Sequence, residues 1–150
     1  MLRKHGTSGR SYGVVAVDVS LDGRRILAAC ADSVVYVWDA LFPDRCPIAT
    51  LAGHRAASFY PKAVFAPDGH RIAGGSSDRD VFVWDTKLLR NIGDEPEPIP
   101  SPPQAIIHAH TREVCGVAWS LTQDNLIASC ADDCMVKLWH ANETPQYDDN

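Results

Sequence analysis

No run of apolar residues in this 150-residue chain approaches the ~18 that a bilayer-crossing helix needs. Residues 1–10 are polar and basic with no apolar stretch behind them, which predicts no signal peptide. Cysteine is scarce. The five residues are odd in number and form no Cys-x-x-Cys pair, a pattern that fits free thiols in a reducing compartment, cytosol or nucleus. Charge of one sign is lacking too: fourteen basic side chains face nineteen acidic ones. The net charge of −5 argues against a chain built mainly to grip nucleic acid or an anionic membrane, although it leaves room for a local basic patch. Gly74-Gly75-Ser76 has neither the spacing nor the following Lys of a phosphate loop, and no Ser stands in a nucleophile elbow. Paired carboxylates such as Asp132-Asp133 and Asp148-Asp149 read as a turn and a tail. With no constellation that carries chemistry, the chain reads as a non-enzyme with no catalytic residue, no cofactor and no small-molecule substrate.

What is present is an ordinary globular composition, 45% hydrophobic and 22% charged, with ten prolines and ten glycines to make turns. A chain of this length can bury about 68–70% of its unfolded surface as one domain. The decisive feature is an internal repeat. Tryptophans fall at positions 38, 84 and 139, and the aspartates Asp32, Asp78 and Asp133 each precede one of them by six residues. Two independent landmarks therefore keep one register.

Each unit reads as short strands broken by turns. Val34-Val35-Tyr36-Val37-Trp38 and Val81-Phe82-Val83-Trp84 are rich in β-branched and aromatic residues and apolar on both faces, as a strand buried on both sides is. Asp22-Gly23 and Asp68-Gly69 are hairpin signals. Residues 47–51 close the first unit and 105–108 the second, and nothing after Trp139 supplies a fourth strand to the third. The reading is all-β, about eleven strands grouped four, four and three.

This pattern resembles the WD-repeat β-propeller family, whose repeats run about 40–45 residues between a Gly-His and a Trp-Asp. Gly53-His54 with Trp84-Asp85 fits, as does Trp38-Asp39; His110 with Trp139-His140 is a degraded form. The resemblance implies three repeats at about 11–52, 53–104 and 105–142, set between a polar segment 1–10 and a polar tail 143–150. It also implies three blades of a larger propeller of about seven. In such repeats a His, a Ser or Thr, the turn Asp and the Trp form a buried hydrogen-bonded set. The third repeat offers all four: His110, Ser129, Asp133 and Trp139. The second offers His54, Asp78 and Trp84, with Gly74 where the Ser belongs; the first offers Asp32 and Trp38, with Ala28 there. These residues are expected to be structural, and the network partial in two blades.

Three further features have both a plain and a pointed reading. His108, His110, Cys115, Cys130 and Cys134 suggest zinc, but only Cys130 and Cys134 lie close, across a tight turn. Cys30 and Cys130 hold the same place in two repeats, as apolar strand positions do, so no metal is expected. Residues 93–103 form an acidic loop with five prolines, expected to stay out of any sheet as an extended spacer. Ser58-Phe59-Tyr60-Pro61-Lys62 places two large aromatics where most repeats enter a strand; they either pack beneath the loop or stand exposed as binding anchors.

That last element carries a narrower resemblance. Gly53-His54, Ser58-Phe59-Tyr60-x-Lys62, Pro67-Asp68, Gly75-Ser76-Ser77-Asp78 and Trp84 are similar to the denticleless family, as are His110, Glu113-Val114, Val117, Trp119, Ile127-Ala128-x-Cys130-x-Asp132-Asp133 and Lys137-x-Trp139. The likeness covers about 11–142. It implies a non-catalytic substrate receptor of a nuclear cullin-4 RING ubiquitin ligase, recruiting PCNA-bound replication and cell-cycle proteins for ubiquitination. The implied partners are proteins, namely the ligase adaptor and the PCNA-bound substrates, with no direct nucleic acid and no membrane. Adaptor binding in that family commonly uses a Trp-Asp-x-Arg ending. Here the fourth positions are Leu41, Lys87 and Asn142, and Lys is no substitute for the guanidinium fork. A generic WD-repeat scaffold with unrelated partners is the alternative. On either reading the loops and turns on one rim carry binding, and Arg55, Phe59, Tyr60, Lys62, Arg79 and Arg112 are the candidate contacts.

Overall fold

The computed structural model describes residues 12–58, 62–88 and 100–140. Eleven strands form three antiparallel sheets, grouped four, four and three as the repeat predicts. The first sheet runs β1 (Val14–Val19), β2 (Arg25–Cys30), β3 (Val34–Asp39) and β4 (Ala49–Leu51). The second runs β5 (Ala63–Phe65), β6 (Arg71–Gly75), β7 (Val81–Asp85) and β8 (Ala105–Ile107). The third runs β9 (Val114–Trp119), β10 (Leu126–Ala131) and β11 (Val136–His140). The one helical element among the described residues is a 3-10 turn at Thr86–Leu88, so no helix there is long and apolar enough to cross a membrane.

The repeats superpose pair by pair. Trp38 faces Ile26, Trp84 faces Ile72 and Trp139 faces Ile127 across their strands. The first hairpin of each blade turns through a left-handed residue: Gly23 at φ 69, Gly69 at φ 68 and, in the third blade, Asn125 at φ 65. Asn tolerates this conformation better than most side chains, which explains how the third turn survives without glycine.

Strands apolar on both faces are accounted for by stacking. One core lies between the first and second sheets, where Leu27, Val35, Val37 and Leu51 meet Phe65, Ile72, Phe82 and Trp84. A second lies between the second and third, where Ala73, Val81 and Val83 meet Val114, Val117, Trp119 and Ile127. Each fully buried aliphatic there contributes roughly 1.5–3 kcal/mol. The second interface is tight at Gly75, where a Cβ would stand 2.5 Å from the Val114 carbonyl oxygen.

Two expectations need correction. The proline-rich stretch does reach a sheet: Ser101 makes an isolated parallel bridge to Leu51. Its amide donates to the Thr50 carbonyl at 2.8 Å and its carbonyl accepts from the Ala52 amide at 3.0 Å. Proline removes a donor, but Ser101 stands between Pro100 and Pro102 and keeps its own, so a single residue can pair. Residues 93–99 lie outside the described ones. Second, Cys30 and Cys130 do not hold the same place: Cys130 pairs with Val136 as Ala29 pairs with Val35, whereas Cys30 pairs with Val34 one residue further on, and Cys30 is buried while Cys130 is exposed. On the side of the first sheet away from the second, Tyr36 and Trp38 are buried with Ala28 and Cys30, whereas Val17 and Val19 of β1 are exposed.

Candidate functional site

The turns after β2, β6 and β10 share one rim with the loops that enter β5 and β9. Side-chain hydroxyls stitch this rim across all three blades. The amides of residues 55–57 donate in turn to Ser76 Oγ (2.9 Å), Ser33 Oγ (2.9 Å) and Ser77 Oγ (3.0 Å). Ser58 Oγ and Ser77 Oγ both donate to Glu113 Oε1, at 2.5 and 2.6 Å. Backbone bonds continue the seam, from the His110 amide to the Arg79 carbonyl at 3.0 Å and from the Val114 amide to the Ser76 carbonyl at 3.1 Å. Sequence reading missed these serines and Glu113. The signal was a Ser in or beside each of the first two turns, Ser33 and Ser76-Ser77, though at different places in the two repeats.

Each turn also holds a left-handed residue other than glycine: Ser33 at φ 64, Arg79 at φ 80 and Cys134 at φ 64. Asp32 Oδ1 and Asp133 Oδ1 accept amide bonds from two residues on, at 3.2 and 3.1 Å, offsetting the cost of that conformation. The turn projects Arg79 outward. Arg55, Arg79, Arg112 and Lys62 are all exposed. Arg55 reaches Asp78 at 3.8 Å; Arg79 and Arg112 make no ion pair among the described residues. Phe59 and Tyr60 lie outside the described residues.

Beneath the rim the predicted networks differ from blade to blade. In the third, His110 Nδ1 faces Asp133 Oδ2 at 2.9 Å, His110 Nε2 faces Ser129 Oγ at 2.8 Å, and Trp139 Nε1 donates to the same Oγ at 2.8 Å. An ionised Asp133 only accepts, so Nδ1 carries the proton, Nε2 accepts from the Ser129 hydroxyl, and every group is satisfied with a neutral ring. Burial opposes ionisation of Asp133, but bonds from the Thr111 amide, His110 and the Met135 amide outweigh it and hold the carboxyl below the ordinary carboxylate range.

This order of Ser, His and Asp matches that of a hydrolytic triad. Ser129, however, is buried and its oxygen is capped by the indole, so no substrate carbonyl can reach it. The relay serves packing.

In the second blade the structure does not join His54, Asp78 and Trp84. Gly74 stands where Ser129 stands in the third, opposite Phe82 as Ser129 is opposite Lys137. The Trp84 ring fills the vacated space, so a Cβ on Gly74 would lie 2.8 Å from it. The indole then donates to the Ala52 carbonyl at 3.0 Å. His54 packs edge-on against Trp84 with ring centres 5.5 Å apart, and its buried Nδ1 has no hydrogen-bond partner. Burial drives its pKa down to about 4, only partly countered by the charge of Asp78. In the first blade Asp32 Oδ2 accepts from the Tyr36 hydroxyl at 2.9 Å, the role His110 plays for Asp133, while Trp38 Nε1 has no hydrogen-bond partner.

The opposite rim carries a second feature not foreseen. Arg25 Nη1 crosses to the second blade, donating to Thr86 Oγ1 at 2.7 Å and the Gly69 carbonyl at 3.2 Å. Arg71, its equivalent, bonds Asn125 of the third blade and lies 5.0 Å over the Trp119 ring. Leu126 holds the third position, where no such link can form. The legible signal was an Arg two residues after Gly23 and Gly69.

Among the described residues no group of three or more His, Cys, Asp or Glu could hold a metal ion. Burial, with a hydrogen bond to Asp132, pushes the Cys115 thiol up to about 11, which keeps it protonated and a poor ligand.

Comparison with known proteins places these features. The family model described as "WD domain, G-beta repeat" matches residues 2–39, 45–85 and 101–140. The Denticleless protein homolog of Danio rerio is 31% identical over 141 residues, covering 94% of this chain and 20% of that protein. That of Homo sapiens is 28% identical over 142 residues, covering 91% and 17%. The Cell division cycle protein cdt2 of Schizosaccharomyces pombe is 34% identical over 142 residues, covering 91% and 26%. The chain thus spans from 17% to 26% of the length of these curated relatives.

Proposed function

The chain belongs to the WD-repeat family, and from that premise we propose that it is a non-catalytic recognition module, the substrate-receptor part of a nuclear cullin-4 RING ubiquitin ligase that presents PCNA-bound replication and cell-cycle proteins. The observation that carries the reading is the likeness to denticleless proteins along nearly the whole chain. The stitched rim supports it. Hydrogen bonds hold the loop backbones, while Arg55, Arg79 and Arg112 stand outward for a partner. A rigid rim with exposed Arg suits protein recognition, since little order is lost on docking.

Leu41, Lys87 and Asn142 at the ends of the repeats favour a second reading, a WD scaffold with other partners. Co-precipitation with purified cullin-4 adaptor, and separately with PCNA carrying a bound substrate peptide, tests the proposal. Capture of the PCNA–peptide complex that Arg55→Ala with Arg79→Ala and Arg112→Ala weakens at least tenfold is the expected result. Adaptor and PCNA complexes both left unbound would favour the scaffold.

A further inference from the structure

The chain as a whole is acidic, at −5, yet the rim stitched by serines presents free charge of the other sign. Its acids are engaged locally. Glu113 takes the hydroxyls of Ser58 and Ser77, Asp32 the hydroxyl of Tyr36, Asp132 the Cys115 thiol, and Asp133 the Thr111 and Met135 amides. Asp78 and Asp80 lie 3.8 and 3.2 Å from Arg55 Nη1 and His108 Nδ1. Lys62, Arg79 and Arg112, in contrast, are exposed and make no ion pair among the described residues. Backbone bonds set the cations side by side. The Ser77 amide donates to the Arg55 carbonyl at 2.8 Å and the His110 amide to the Arg79 carbonyl at 3.0 Å, so segments 55–58, 76–79 and 110–113 adjoin. The Gly75 amide donates to the Lys62 carbonyl at 2.9 Å, which ties Lys62 to the same blade beside that turn. Arg79 sits at φ 80, where the equivalent turn positions carry the small Ser33 and Cys134. A long cationic side chain held in a costly backbone conformation, with no side-chain bond among the described residues to offset it, points to a contact outside the chain.

On the reading of this rim as the recognition face, on which the inference rests, we propose that it binds an extended acidic segment of a protein partner, whose carboxylates pair with Lys62, Arg79 and Arg112. Stacked sheets lie about 10 Å apart and an extended chain advances about 3.3 Å per residue, so acids three or four positions apart reach cations on neighbouring blades. A guanidinium meets a carboxylate through two parallel hydrogen bonds, which gives Arg79 and Arg112 a directional grip that a neutral side chain does not return. A basic segment would meet these same cations unscreened, with the nearby acids already engaged, so charge excludes as well as selects.

Fluorescence anisotropy of the unaltered chain with a labelled dodecapeptide of alternating Glu and Ser, and with its Gln and Lys counterparts, tests this without any variant that could misfold. The Glu peptide should bind about tenfold more tightly than the Gln peptide, as a few exposed ion pairs allow, and the Lys peptide most weakly. Raising the salt should narrow the gap, since exposed pairs are screened. Arg79→Glu with Arg112→Glu should abolish the preference for Glu. Arg24→Glu with Arg45→Glu makes the same change in net charge at two exposed positions on the opposite rim, and should leave the preference intact. Equal binding of the Glu and Gln peptides, equal loss in the two double variants, or a rim that takes only a phosphoserine version of the peptide would overturn the proposal. Capture of the PCNA–peptide complex together with equal binding of the Glu and Gln peptides would end the acidic preference and leave the receptor reading standing. A clear Glu preference without capture of that complex would do the reverse.

Discussion

The second and third blades hold a tryptophan at the same register by different means. In the third, a serine hydroxyl takes the indole N–H and passes the chain of bonds to His110 and Asp133. In the second, the serine is gone, Trp84 moves into the space over Gly74, and its N–H turns to a backbone carbonyl. One blade positions its tryptophan by directed bonds, the other by shape. A buried hydrogen-bond network stabilises only if all its members are satisfied. Losing one member favours replacing the rest with packing, and Trp84 is accordingly among the most deeply buried side chains. His54 is the remnant: it keeps its place but has lost its partner for Nδ1.

The largest blow to this comparison is Trp84→Ala. It empties the centre of the first interblade core and should cost about 3–5 kcal/mol, read from urea midpoints. Trp139 is only half-buried, so Trp139→Ala should cost less. Equal losses would show that shape holds both blades. Next is Ser129→Ala, which strands Trp139 Nε1 and His110 Nε2 at once. Each unsatisfied buried group costs about 1–3 kcal/mol, so a loss of roughly 2–6 kcal/mol is expected. Ala28 already occupies the corresponding place in the first blade, so no comparable loss is available there.

The blade count, strand grouping and shared register were legible because two landmarks, Trp and turn Asp, recur in step, and because strands buried on both faces are apolar throughout. The failures have one cause: they concern where blades meet, and spacing within a blade cannot report that. Ser101 looked excluded by its prolines, yet pairs because β4 offers an outer edge beside it. The serines that stitch the rim, and the arginines Arg25 and Arg71, act across blades, so neither looks special within its own repeat. Gly74 was legible as a gap in the network; that an indole fills it was not.

His54 sharpens the comparison through pH. Its folded pKa of about 4 lies below the ordinary 6.5, so between those values the unfolded chain binds a proton that the folded chain refuses. Stability is therefore complete above about pH 6.5 and falls as the pH drops toward 4, by roughly 3 kcal/mol in all. In His54→Phe that contribution to the acid limb should vanish, with the ring contacts to Phe82 and Trp84 retained. Urea denaturation at pH 7 and pH 4.5 checks this. An unchanged difference between the two pH values would show that His54 is not the proton-linked group.

The finest test is to give the second blade its missing serine. If the two blades were interchangeable, Gly74→Ser would supply the one hydroxyl that His54, Asp78 and Trp84 lack, and would stabilise the protein. The geometry predicts the reverse. A Cβ at this position meets Trp84 Cζ3 at 2.8 Å and Cη2 at 3.1 Å, and Ala63 Cβ lies 3.7 Å away. The indole cannot retreat without surrendering its bond to Ala52 and its stacking on Phe82, whose ring centre lies 5.9 Å away. Overpacking of this kind costs about 1–3 kcal/mol. Gly74→Ala introduces the same Cβ without the hydroxyl and should cost a similar amount. If Gly74→Ser proved clearly more stable than Gly74→Ala, the hydroxyl would have found His54 or Trp84, and the second blade would be a network waiting for one residue rather than a different packing solution.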